Sequence, residues 1–120
     1  MEAIKHKVLV VDDDADYLAE LSDLLGEGPY QVVTCSDSTQ TFLLIKEHAP
    51  DRIVLDVAMP YLDGKSLLLM IRKRFPEIPV LICTGVPNVD AQGFLMAGAK
   101  EVIQKPFLPQ MLFEALDRAA

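Results

Sequence analysis

Short apolar runs alternate with longer amphipathic stretches along the whole chain. Five runs have the length and the β-branched content typical of strands buried on both faces of a parallel sheet. These runs are Val8-Leu9-Val10-Val11, Tyr30-Gln31-Val32-Val33-Thr34-Cys35, Ile53-Val54-Leu55, Val80-Leu81-Ile82-Cys83 and the weaker Val102-Ile103. The pattern therefore predicts five short parallel strands.

The stretches between and after these runs carry helical signals. Leucines recur at helical spacing after Asp14 and stop at Gly26, while Gly98 and Pro109 stand where a helix favours a closing glycine and an opening proline. We expect the following apolar side chains to face the sheet: Leu18, Leu21, Leu24, Leu25, Phe42, Leu44, Ile45, Leu67, Leu68, Ile71, Phe94, Ala97, Met111, Leu112, Ala115, Leu116 and Ala119. A strand followed by a helix, five times over, predicts an α/β fold with right-handed crossovers.

Composition and charge narrow the class of protein. The chain has 120 residues, of which 51% are hydrophobic and 24% charged, and this suits one globular domain with a core of its own. A net charge of −7 argues against direct binding of nucleic acid, and we interpret the short basic run at 72–74 as a solvated helix face. We expect a single domain over residues 1–120.

The N-terminus and the cysteines bear on location. No apolar run is long enough to span a membrane, and the first residues lack the features of a signal peptide. Cys35 and Cys83 each lie inside an apolar run, which is typical of buried free thiols in a reducing compartment. We therefore expect a cytoplasmic protein without membrane insertion.

Polar side chains follow four of the five predicted strands. Asp12 and Asp13 come after the first strand and Asp56 after the third. Thr84 follows the fourth strand, and Lys105 follows the fifth. Because open α/β sheets bind ligands outside the carboxyl ends of their strands, we expect these side chains to converge.

Converging carboxylates repel one another unless a cation lies between them. Mg²⁺ prefers oxygen ligands and commonly takes one or two carboxylates together with a phosphate oxygen. Lys105 and Thr84 can bind further phosphoryl oxygens, and one aspartate can then become an aspartyl phosphate. We interpret Asp14 as a helix cap and Asp63, in an Asp-Gly turn, as structural.

Several motifs in this order resemble one known family. They are Val11-Asp12-Asp13-Asp14, Asp56-Val57-Ala58-Met59-Pro60-Tyr61-Leu62-Asp63-Gly64, Thr84-Gly85, Ala97-Gly98-Ala99-Lys100 and Lys105-Pro106-Phe107. Over nearly its whole length the chain resembles the response-regulator receiver domain of two-component and phosphorelay signalling. The resemblance implies a doubly wound, flavodoxin-like (βα)5 fold with strand order 2-1-3-4-5.

The resemblance also implies roles for the acidic residues. Asp56 corresponds to the phosphoacceptor, Asp13 to a direct ligand of Mg²⁺ or Mn²⁺, and Asp12 to a residue that acts mainly through metal-bound water. The backbone carbonyl of Ala58 corresponds to a further metal ligand. The implied donor is a phosphohistidine on a sensor histidine kinase or a histidine phosphotransfer protein, and a homodimer or a downstream effector is the implied output partner.

Thr84 and Lys105 correspond to the residues that bind the phosphoryl oxygens, and the Lys105–Pro106 bond is implied to be cis. The chain departs from the family pattern in two respects. Val102 stands where relatives often carry an aromatic rotamer switch, so we expect a smaller or differently routed response. Ala58 and Val86 are apolar at positions that influence water access to the phosphoryl group, and we therefore hypothesise slow hydrolysis of the phosphorylated form.

Two other functions remain open at this point. A phosphatase of the haloacid-dehalogenase type would also use an aspartyl phosphate, and Asp12-Asp13-Asp14-Ala15 partly fits its opening motif. That assignment leaves the segment after Asp56 unexplained, and the chain is short for that fold. The second alternative is a receiver-like interaction module that works without phosphorylation, although such modules usually lack some of the site residues found here.

Overall fold

Five parallel strands form one sheet in this computed structural model, which describes residues 6–58 and 63–119. The order of the strands in the sheet is β2-β1-β3-β4-β5, as the family resemblance implied. The strands are β1 (His6–Val11), β2 (Tyr30–Cys35), β3 (Arg52–Leu55), β4 (Val80–Thr84) and β5 (Glu101–Gln104). The predicted strands are confirmed, with bounds that differ by at most two residues; Thr84 is the last residue of β4 rather than the first residue after it.

Five α-helices connect and follow the strands. They are α1 (Ala15–Gly26), α2 (Thr41–His48), α3 (Gly64–Arg74), α4 (Ala91–Met96) and α5 (Pro109–Arg118), with a 3₁₀ turn over Ser38–Gln40 before α2. Gly98, just beyond α4, has a φ of 110°, a left-handed value that glycine adopts without strain. Within the described residues, no helix is both long enough and apolar enough to cross a membrane.

Aspartates are the N-cap residues of the α-helices α1, α3 and α4. The Asp14 carboxylate accepts a hydrogen bond from the Tyr17 backbone N–H at 3.1 Å, and this confirms the predicted cap of α1. Asp63 caps α3 by accepting from the backbone of Lys65 and the hydroxyl of Ser66, which agrees with its predicted structural role. The hydrogen bonds from Ser66 and Lys65 lower the pKa of Asp63.

Two apolar layers lie on opposite faces of the sheet. Along β1 the side chains alternate, so that Val8 and Val10 pack with α1 and α5 while Leu9 and Val11 pack with α2, α3 and α4. This doubly wound arrangement leaves the carboxyl edge of the sheet open between the two helical layers.

Some of the predicted inward-facing side chains are not fully buried. Met111 is 48% exposed, and the inward stripe of α5 consists of Leu112, Ala115, Leu116 and Ala119. Consecutive helix positions differ by about 100° in direction, which places Met111 at the edge of the arc that these four residues span, so the sheet covers it only in part. In α2, Thr41 and Ile45 are the buried residues, while Phe42 and Leu44 pack at the margin of the core.

Candidate functional site

The carboxyl ends of the strands hold the site residues in place through the backbone. The Asp12 N–H donates to the Cys35 carbonyl at 3.0 Å, and the Asp56 N–H donates to the Val11 carbonyl at 2.9 Å. The Lys105 N–H donates to the Thr84 carbonyl at 2.7 Å. The parallel ladders thus extend one residue past the strand ends, and the residues that carry the polar side chains are fixed at the sheet edge.

Three carboxylates meet at this edge. Asp12, Asp13 and Asp56 each offer an oxygen, and these oxygens all lie within 4.8 Å of one another. Asp12 and Asp56 are only 2% and 6% exposed, whereas Asp13 faces solvent. The fold therefore brings together the three aspartates that the sequence analysis predicted to converge.

Lys105 lies against this cluster. Its ammonium group donates to Asp12 Oδ2 at 2.6 Å and to Asp56 Oδ2 at 3.3 Å. Burial raises the pKa of Asp12, and the hydrogen bond from Lys105 only partly opposes this effect. Burial also disfavours the charged ammonium, but its hydrogen bond to Asp12 and the charges of Asp12 and Asp56 raise the pKa of Lys105. We take Lys105 to be protonated beside an acidic cluster whose charge it offsets only in part.

Thr84 is completely buried at the end of β4. Its hydroxyl oxygen accepts a hydrogen bond from the Val86 backbone N–H at 3.2 Å, which holds the side chain towards the loop between β4 and α4. The Gln104 side chain donates to the Val86 carbonyl at 2.9 Å and approaches the Thr84 carbonyl at 3.4 Å. Strand β5 thus contacts this loop through an amide side chain, while Val102 packs half-buried against the core.

Ala58 is adjacent to Asp56 in this arrangement. Its backbone N–H donates to Asp56 Oδ1 at 2.9 Å, and Ala58 itself is exposed. The Lys105–Pro106 bond is cis, as expected. The motif segment 59–62 lies outside the described residues.

Tyr17 is a neighbour of the site that the sequence analysis missed. The Lys105 ammonium lies 4.0 Å from the centroid of the Tyr17 ring, and the Tyr17 hydroxyl is 3.8 Å from the Cys83 sulfur. Burial raises the pKa of the Cys83 thiol to about 11, so this contact joins two neutral groups. The available signal was an aromatic residue in the first turn of the helix that follows an acidic loop. The leucine periodicity of α1 indicates which residues face the sheet, but it does not indicate Tyr17.

The donor set suits a hard divalent cation. Three carboxylates and one ammonium leave an excess of negative charge, and the hydrogen-bonded oxygens of Asp12 and Asp56 each keep a second lone pair. Oxygen donors on a partly solvated edge are what Mg²⁺ prefers in proteins. The residues present therefore fit Mg²⁺.

Fold and site together define a doubly wound α/β domain with an acidic pocket, containing a lysine, at the carboxyl edge of its sheet. Residues 8–117 match the family model of the response regulator receiver domain, so the chain belongs to that family. Receiver domains are the signalling modules of two-component systems; they generally bind Mg²⁺ at an acidic pocket and interact with sensor kinases and effector domains.

Individual relatives agree with this assignment. The transcriptional regulatory protein PrrA of Mycobacterium tuberculosis is 39% identical over 103 residues, which cover 85% of this chain and 44% of PrrA. The chemotaxis protein CheY of Bacillus subtilis is 30% identical over 118 residues, which cover 94% of this chain and 96% of CheY. A crystal structure of a response regulator receiver domain protein from Clostridium thermocellum has a TM-score of 0.89 and 33% identity, covering 95% of this chain and 93% of that one.

The comparisons do not favour the phosphatase or the phosphorylation-independent module. The chain spans less than half the length of the first curated relatives it matches, such as PrrA.

Proposed function

We propose that Asp56 accepts a phosphoryl group from a phosphohistidine, on a sensor histidine kinase or a histidine phosphotransfer protein, with Mg²⁺ or Mn²⁺ bound at the same site. The observation that supports this most directly is the meeting of Asp12, Asp13 and Asp56 within 4.8 Å, beside Lys105. Asp56 is the acceptor in this proposal because it corresponds to the phosphoacceptor of the family and follows the central strand β3 of the sheet.

Asp13, Asp56 and the Ala58 carbonyl are the proposed direct metal ligands, and Asp12 acts mainly through metal-bound water. The bound cation would neutralise charge that accumulates on the phosphoryl oxygens. Asp56 forms the new P–O bond as the P–N bond of the donor breaks, and the released imidazole takes up a proton. The chain thus promotes only its own phosphorylation and its own dephosphorylation.

Lys105 and Thr84 bind the phosphoryl oxygens in the product. The Lys105 ammonium already lies 3.3 Å from Asp56 Oδ2, so it needs little movement to reach an oxygen on the phosphorus. Thr84 must first release the Val86 N–H, because its hydroxyl is held towards the loop. Phosphorylation therefore pulls on the loop between β4 and α4.

The size of the conformational response follows from this rearrangement. Inverting a ~1:99 population requires about 5.5 kcal/mol of differential interaction. Two charge-assisted hydrogen bonds, at about 1.5–3 kcal/mol each, nearly supply that amount. Val102 has no ring to swing, so the change reaches β5 by a different route, and the Gln104 amide on the Val86 carbonyl is the contact placed to carry it.

Slow loss of the phosphoryl group is a further part of the proposal. Ala58 and Val86 supply no polar side chain that could orient an attacking water. Hydrolysis measured after removal of the donor should therefore be slow, and loss within seconds would contradict this part.

We further propose that residues 1–120 act as one receiver unit in the cytoplasm. The two buried free thiols, Cys35 and Cys83, support a reducing compartment. The phosphorylated form would then act on an effector or on a second copy of the chain.

Incubation with a small phosphodonor and Mg²⁺, followed by intact mass measurement, tests the proposal. We expect one phosphoryl group per chain, absent in Asp56→Asn and absent when a chelator removes the metal. Labelling that persists in Asp56→Asn would place the acceptor elsewhere. Steady turnover of a generic phosphate ester without stoichiometric labelling would favour the phosphatase instead.

A further inference from the structure

Gly85 lies beside the stem of Lys105, and even an added Cβ at this glycine would be 3.9 Å from the Lys105 Cβ. A cavity of about 590 Å³ opens beside the lysine, between α1 and the segment that leads into α5, and Lys105 itself lines it. The stem of Lys105 therefore has room to swing away from the aspartates.

Tyr17 opposes that movement. The ammonium of Lys105 lies 4.0 Å from the centre of the Tyr17 ring, within the range of a cation–π contact. An ammonium has three donors, and two of them already point at Asp12 and Asp56. The ring thus faces the remaining side of the ammonium, where water would otherwise solvate it.

The Tyr17 ring is itself fixed at two points. Its backbone N–H is bound by the Asp14 carboxylate at the start of α1, and its hydroxyl contacts the Cys83 sulfur on β4. The third aspartate of the Asp12-Asp13-Asp14 run therefore helps to place Tyr17, although it does not belong to the carboxylate cluster of Asp12, Asp13 and Asp56. The flexible lysine is therefore in contact with an aromatic residue that is itself anchored on α1 and against β4.

We propose that Tyr17 is a positioning residue for phosphoryl transfer, whose ring keeps the Lys105 ammonium directed at the phosphoryl oxygens of Asp56. This inference rests on the proposed function. Lysine has a flexible four-carbon stem with considerable rotamer entropy, so confining it before the reaction lowers the cost of reaching the transition state.

The kinetic test compares variants that keep the ring with variants that remove it. With a small phosphodonor and Mg²⁺, Tyr17→Phe should be phosphorylated within twofold of the wild-type rate. Tyr17→Leu and Tyr17→Met should each be slower by about tenfold, which corresponds to about 1.4 kcal/mol. Glu20→Ala is the matched control, because Glu20 lines the same cavity from α1, and it should leave the rate unchanged.

Two further readouts separate positioning from structural damage. The Mg²⁺ concentration that gives half-maximal rate should not increase in Tyr17→Leu or Tyr17→Met, because the Tyr17 ring contacts Lys105 and its hydroxyl contacts Cys83, not the proposed metal ligands. The ε-methylene NMR signal of Lys105, assigned with Lys105→Arg, should be shifted upfield by the ring in the wild type and in Tyr17→Phe. In the ring-less variants it should return to an ordinary lysine position.

The outcomes are distinct. Wild-type rates in both ring-less variants, equal losses in Tyr17→Phe and Tyr17→Leu, or an unshifted Lys105 signal in the wild type would each overturn the role of the ring. If wild-type protein is not labelled at Asp56 at all, the proposed function fails, and the NMR signal alone then decides whether Tyr17 holds Lys105.

Discussion

The two ends of the sheet both carry buried charged side chains, but the neighbours of these side chains differ. At the carboxyl end, Asp12, Asp13 and Asp56 crowd together, and Lys105 offsets only part of their charge. At the amino end, Arg52 is only 4% exposed, and its Nε donates to the Leu116 carbonyl at 2.7 Å.

The partners of the amino-end groups complete this contrast. The hydroxyl of Tyr30 donates to Asp117 of α5, and the Arg52 guanidinium lies 6.0 Å from the Tyr30 ring. These groups have complementary partners and hold the end of α5 against the sheet. The aspartates at the other end have like charges as neighbours. The amino end therefore contributes to stability, whereas the carboxyl end leaves an excess of negative charge that a bound cation would offset.

The largest expected effect on stability comes from breaking the amino end. Arg52→Met removes the buried hydrogen bond from Arg52 Nε to the Leu116 carbonyl. The free energy of unfolding should therefore fall by about 3 kcal/mol. Urea unfolding monitored by circular dichroism measures it. In the folded fraction, the rate of Asp56 phosphorylation should stay at the wild-type value; a matching loss of rate would mean that the two ends are coupled.

The carboxyl end should respond to metal instead. Mg²⁺ at about one hundred times its dissociation constant should raise the free energy of unfolding by about 2.7 kcal/mol, because it binds only the folded site. Asp13→Asn should lose most of this gain, whereas Arg52→Met should retain it from a lower starting point. An equal Mg²⁺ response in Asp13→Asn and the wild type would contradict the assigned ligand.

The sequence predicted the carboxyl end better than the amino end. The apolar runs that form strands can be recognised from neighbouring residues alone, and the residues that follow parallel strands must meet at the same edge of the sheet. Asp12, Asp56 and Lys105 could therefore be predicted from the sequence. The pairing of Tyr30 with Asp117 joins residues 87 positions apart, and no local period encodes it. The apolar run predicts a third strand that begins at Ile53, because Arg52 is charged, yet Arg52 is the first residue of β3 and is buried.

The directions of individual side chains also could not be predicted from the sequence. Tyr17 and Gln104 act on the site through contacts that depend on rotamers and on the shape of a loop. Periodicity gives the face of an element on which a residue lies, but not which neighbour its polar atoms reach. Residues that contact the site directly were therefore predictable, and those that position them were not.

The Tyr30 hydroxyl should have a smaller and pH-dependent effect. Burial, together with the hydrogen bond to Asp117, raises the pKa of Tyr30 to about 12, above the ordinary value near 10. Tyr30→Phe should cost about 1 kcal/mol at pH 8. Because the folded pKa is the higher one, this contribution is fully present below pH ~10 and is lost as the pH rises towards 12. Unfolding at pH 8, 10 and 11 should therefore show the wild type losing its advantage over the variant; a constant difference would contradict the assignment.

The smallest effect should come from the contact between β5 and the loop after Thr84. Gln104→Leu removes the donor to the Val86 carbonyl, and since that hydrogen bond is exposed it should cost only about 0.5 kcal/mol. Amide hydrogen exchange should nevertheless accelerate in the segment 85–89 and not in β1, because only the loop loses a tether. Gln31→Leu, at an exposed strand glutamine on the opposite edge of the sheet, is the matched control. If the loop amides exchange equally in both variants, Gln104 does not restrain the segment that Thr84 must move, and the response to phosphorylation takes another path.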